Sequence, residues 1–178
     1  MFLIKENILN KVNLMPLAQV AVLTSVAVAA PLSQNQFITG TIVNATLFMA
    51  AANLNISGAI LICLLPSLVA LSVGTLPFAL APLIPNIILS NILLVLTFVS
   101  LKKLNHWPKI IIASFLKFTF LFSSSYLFMN ILFVNPMASK YMAMMSWPQL
   151  ITALAGGVLA YGITKILSSD ILKENTNI

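Results

Sequence analysis

Apolar residues fill long runs in this chain, and short polar or proline-bearing breaks separate them. Six runs stand out, at about 14–32, 37–54, 56–73, 83–101, 110–134 and 147–167. Each is close to the roughly 20 residues a helix needs to cross a bilayer. The pattern predicts an all-α polytopic membrane protein, a six-transmembrane-helix bundle forming one domain over 1–178. Prolines punctuate it. Pro16, Pro108 and Pro148 fit first helical turns, and Pro31 fits an exit. Pro66 falls inside the third run and predicts a kink.

The breaks differ in kind. Residues 1–13 form a polar-apolar leader with Lys5, Glu6 and Lys11. With the first run and its small-residue end at Ala27–Ala30 it looks like a signal peptide. Five runs follow, so it reads as a retained helix. Ser33–Gln36 is an uncharged turn, and Asn53–Ser57 a tight connection. Gly74–Pro85 is apolar but carries Pro77, Pro82 and Pro85. It predicts a loop lying on the bilayer surface or folding over the bundle. Lys102–Lys109 is the most basic connection, Asn135–Ser146 a Met-rich loop, and Ser168–Ile178 a polar tail.

Composition sharpens this picture. The chain is 60% hydrophobic and 7% charged, against about 25% charged in soluble domains. Its net charge of +6 comes without any arginine and without a basic stripe, so nucleic acid is not the expected partner. The lysines report orientation instead. With the N-terminus inside, Lys5, Lys11, Lys102, Lys103, Lys109, Lys165 and Lys173 are cytoplasmic and only Lys140 is outside. Both termini are therefore expected in the cytoplasm, and Trp107 and Trp147 at opposite interfaces.

Enzyme chemistry has few materials here. Glu6, Asp170 and Glu174 all lie near the termini, and His106 is the one histidine. No carboxylate pair, metal-ligand cluster, Ser/His/Asp set or phosphate loop can be assembled. A non-enzyme without cofactor or metal is expected. Cys63, the one cysteine, reads as a small buried filler.

The fifth run carries Lys117. A lysine at a helix centre in lipid costs about 2.5–3.5 kcal/mol or more, so such residues usually face a bundle interior or a wet cavity. Ser114, Lys117, Leu121 and Ser124 share one helical stripe. Lys117 either turns inward or snorkels toward a headgroup. Neutral polar groups recur in the other runs: Asn44 near Gly40 and Thr41, Asn86 with Ser90, Asn91 beside them, and Gln149 with Thr152 and Gly156. Such amides either bridge helices or, gathered with a lysine, line a ligand pocket. The substrate-binding set expected is Asn44, Asn86, Asn91, Lys117 and Gln149. No acid lies within any run to pair with Lys117. An anionic or carbonyl-bearing ligand, or water, is its natural partner, and a neutral amine is the other escape.

Small residues form a second pattern. Ala21, Ser25 and Ala29 recur every four residues, and Ala153 and Gly157 make a similar strip. Such strips either pack within the bundle or let a partner helix approach.

Six runs in under 200 residues, both ends inside and the Ala21-x-x-x-Ser25-x-x-x-Ala29 strip together resemble the substrate-binding S component of an energy-coupling factor (ECF) transporter. The strip resembles that family's alanine-rich docking motif, with Ser25 in place of alanine. The stretch Gln34–Gly40 followed by Val43-Asn-Ala45 looks like a family signature. The resemblance implies a prokaryotic plasma-membrane protein that captures a vitamin-like small molecule from outside. It implies docking through Ala21, Ser25 and Ala29 on a transmembrane coupling subunit driven by ATPases. A non-catalytic structural subunit of a larger membrane complex is the alternative, or a small channel or facilitator.

Overall fold

Local chemistry sets where the helices start and stop. α1 (Leu14–Ala29) ends in a 3-10 turn over Ala30–Ser33, with Pro31 early in it. α2 (Gln36–Asn53) is capped by Asn35, whose side-chain oxygen accepts from Phe37 N at 2.9 Å and Ile38 N at 3.2 Å. These satisfy donors that a helix start otherwise leaves open. α3 (Ile56–Ser72) is capped by Asn55, which accepts from Gly58 N at 2.8 Å. α4 (Ile84–Ser100) starts beside Pro85, α5 (His106–Leu132) has Pro108 in its first turn, and α6 (Trp147–Thr176) has Pro148 in its own.

This computed structural model describes the backbone over 14–132 and 142–176, and side chains within 17–128 and 142–167. The leader with Lys5, Glu6 and Lys11, the residue Lys140, and the side chains of Asp170, Lys173 and Glu174 lie outside the described residues. Among the described residues the chain is all-helical.

Three expectations change. Gly74–Pro85 is not all loop: Phe78–Leu83 forms a 3-10 helix that feeds α4. Leu76, Leu80 and Leu83 bury against Leu121 and Met145, so this segment folds over the bundle. α5 begins at His106, four residues before Ile110, because proline costs nothing in a first turn. α6 runs through the expected polar tail to Thr176, since no Gly or Pro interrupts it after Gly162.

α2, α6, α5 and α4 pack in a closed ring, each against the next. α1 and α3 pack together on the outside, against α2, and α3 also touches α4. α2 and α5 therefore face each other across the ring. The α2–α6 seam is the tightest. A Cβ on Gly156 would meet Thr41 O and Ala45 N of α2 at 2.8 Å, so two backbones touch there. Gly40 gives the same room to Thr152. Ala153 and Gly157, the second small-residue strip, are buried inside the bundle.

Three segments are long and apolar enough to cross a membrane: Phe78–Ser100, His106–Phe128 and Met142–Leu167. Their outer faces expose Ile111, Ile112, Phe115, Ile151 and Val158 to the surroundings. An apolar belt of this kind suits lipid rather than water. α1, α2 and α3 have 16, 18 and 17 residues. They reach about 24–27 Å, short of a hydrocarbon core of about 30 Å.

Gly156→Val is expected to wedge α2 from α6 and destabilise the fold by about 1–3 kcal/mol. Gly162→Ala, where nothing lies within 4 Å, is the neutral comparison. Equal melting temperatures for the two variants would refute the close seam.

Candidate functional site

Lys117 sits midway along α5, on the stripe with Ser114 and Leu121, and all three are buried. The other face of the helix shows Phe115, Leu116 and Phe122 to the outside. The lysine therefore points into the ring and does not snorkel. Its Nζ donates to Asn44 Oδ1 on α2 at 2.5 Å and to Asn91 Oδ1 on α4 at 2.7 Å. The long side chain thus spans the gap between the facing helices α2 and α5.

The two amides are oriented by their other ends. Asn44 Nδ2 donates to Gly40 O at 2.8 Å and to Thr152 Oγ1 at 3.4 Å. Asn91 Nδ2 reaches Cys63 O at 3.4 Å, in the turn just before Pro66. With both NH2 groups engaged, both oxygens turn to the ammonium. An ammonium has three donors. Two go to these oxygens, and Lys117 also lines a cavity of about 100 Å³.

That cavity lies between α2, α3, α4, α5 and the start of α6. Asn44, Asn91, Lys117 and Gln149 line it together, as does Gly40. Asn86 does not. Asn86 and Asn91 are five residues apart, about 140° around the helix, so one stripe cannot hold both. Ile87, one turn before Asn91, occupies the lining position. The Asn86 NH2 group is buried without a hydrogen-bond partner among the described residues.

Several lining residues escaped the reading of the sequence. Gln36 lies four and eight residues before Gly40 and Asn44, so its helical spacing was a usable signal. Thr75 and Met144 gave no such signal, because loop paths bring them in. Thr75 Oγ1 donates to Pro31 O at 2.7 Å, which pins the α3–α4 connection over the cavity. Gln36 Nε2 donates to Met144 O at 2.8 Å, and Gln149 Nε2 to the same oxygen at 3.3 Å. Met144 and Met145 close that side of the cavity. Ala21, Ser25 and Ala29 are all exposed on α1, and Ser25 Oγ bonds back to Ala21 O at 2.8 Å.

No described residues form a group able to hold a metal ion. The site offers a cation, two committed amides, two further glutamines and flexible thioethers. Such a set can hold a hydrogen-bond acceptor at the cavity wall.

A double-mutant cycle of Lys117→Met and Asn91→Leu tests the interaction directly. Asn91→Leu alone should cost about 1–3 kcal/mol, since it strands a buried donor. The pair should couple by 1 kcal/mol or more, to order of magnitude. Simple additivity in the melting data would show that the two groups are not partners. Comparison with known protein families, characterised proteins and solved structures finds no match to this chain.

Proposed function

We propose that this chain is a membrane-embedded capture subunit for a small micronutrient-like molecule, of the ECF S-component kind. The observation that carries the reading is Lys117, buried at a cavity wall with no acid between Glu6 and Asp170 to neutralise it. A ligand carboxylate or carbonyl would take the remaining N–H in a charge-assisted bond. In this reading all six helices lie in a prokaryotic plasma membrane with both termini cytoplasmic. The cavity then opens outward, toward the Ser33–Gln36 turn. ATP-driven coupling would come from a partner subunit, docked on the exposed Ala21, Ser25 and Ala29.

Size shapes the proposal. About 100 Å³ is below the roughly 300–1,000 Å³ of typical ligand sites. Met144 and Met145 would have to swing aside for a vitamin-sized ligand, and methionine is the side chain most able to do so. The same small volume favours a second reading. A structural subunit of a larger membrane complex needs Lys117 only as a brace between helices.

A thermal-shift screen of the purified chain against vitamins and other small carboxylates separates the two. A ligand at a hundred times its Kd should stabilise by about 2.7 kcal/mol. Lys117→Met should abolish that shift, whereas Ser25→Leu should preserve it and block co-purification with a coupling subunit. Silence across the whole screen, with Lys117→Met damaging the fold alone, would favour the structural subunit. Orientation is checked separately with Leu32→Cys in a Cys63→Ala background. Leu32 is exposed in the turn before α2. An impermeant thiol reagent should label it from outside the cell, and labelling from the cytoplasmic side alone would invert the topology.

A further inference from the structure

The ring holds a second cavity, at the opposite end from Lys117. It is about 300 Å³, larger than the first. Phe48, Phe98 and Ile110 make its apolar wall, while His106, Tyr161 and Lys165 bring polar groups. Lys109 stands beside it, with Nζ 4.9 Å from the Phe98 ring centroid. Tyr161 packs on His106 and Trp107, with ring centroids 5.4 Å and 5.1 Å away, which ties the start of α5 to α6. The α5 N-terminus adds the positive end of its dipole at His106. Lys102 and Lys103 follow in the exposed connection just before it. Among the described residues no Asp or Glu lines this cavity.

We infer that this cavity binds the headgroup of an anionic phospholipid. Three features converge on that class. Among the described residues the cations have no counter-charge in the lining, so a phosphate is matched electrostatically. The apolar wall would be wasted on a free hydrated phosphate, but it accepts the glycerol and first methylenes of a lipid. Exposed Trp107, packed at a tilt against Tyr161, is the aromatic type that settles at headgroup level. Basic pockets between membrane helices are known to hold acidic headgroups, with about 1 kcal/mol from each lysine near the surface. The site shares no lining residue with the Lys117 cavity and stands whatever that cavity binds.

The full chain, purified in a neutral detergent, is titrated with phosphatidylglycerol, phosphatidylcholine or inorganic phosphate. Melting temperature and native mass spectrometry are the readouts. Phosphatidylglycerol should raise the melting temperature by at least about 3 °C and remain bound in the mass spectrum. The other two should do neither. Lys109→Gln with Lys165→Gln should weaken lipid binding about tenfold or more. Ala52→Phe, at the exposed edge of the cavity, should block the site without touching its charge. Lys117→Met should leave lipid binding unchanged. Equal stabilisation by phosphatidylcholine overturns the proposal, and so does an equal effect of inorganic phosphate. If Lys103→Gln alone weakened binding as much as the Lys109/Lys165 pair, the lipid would be held by a diffuse basic surface and not by the cavity. If Ala52→Phe retained lipid but lost a co-purifying protein, the cavity would be a protein contact instead.

Discussion

One ammonium organises the interior of this bundle. Lys117 is the only charged side chain buried among the described residues, and it is held by two neutral amide oxygens. Neutral acceptors solvate a cation without cancelling it. The amine thus meets two amide oxygens and no carboxylate among the described residues, which distinguishes this arrangement from a buried ion pair. The amides hold their orientation because each NH2 group is spent on α2 backbone and Thr152, or on the Cys63 carbonyl. Five of the six helices thus contribute to placing one lysine: α5 carries it, α2 and α4 face it, and α3 and α6 steady the amides.

Close packing makes this geometry possible. Gly40 and Gly156 bring α2 and α6 to backbone contact, and that contact sets Thr152 beside Asn44. Bulkier residues at either glycine would separate the helices and release the Asn44 amide. α2 carries buried polar groups and is also the central helix. Its Thr46 and Asn44 are buried, and its neighbours α1, α3, α4 and α6 shield it. This explains why α2 is absent from the segments apolar enough to cross a membrane alone. Polar groups at the middle of a bundle are satisfied by other helices and not by lipid.

The two cavities give the ring distinct ends. Around Lys117 the cavity is small and closed over by Met144, Met145 and the Thr75–Leu76 connection. At the other end the cavity is larger, with lysines and aromatics at its edge. Between them lies a packed layer that includes Leu47, Leu94, Val95 and Ala113, all fully buried.

The sequence by itself determined where the helices fall, because lengths of apolar run and proline positions are local properties. It also determined that Lys117 needed a polar setting, because the cost of a lysine in lipid does not depend on fold. Its inward direction was legible in part from the stripe with Ser114 and Leu121. What the tertiary structure decided was which amides answer it. Asn44 and Asn91 do, whereas Asn86 points elsewhere, because rotation about α4 allows only one of that pair inward. The involvement of Thr75 and Met144 also depended on the tertiary structure, since two connections fold back over the ring. The 3-10 helix at Phe78–Leu83 belongs to the same class. Proline-rich sequence argues against regular helix, and burial of Leu80 and Leu83 overrode that local preference. Periodicity reports which face of a helix is apolar, but the partner it meets is set by how six helices share one core.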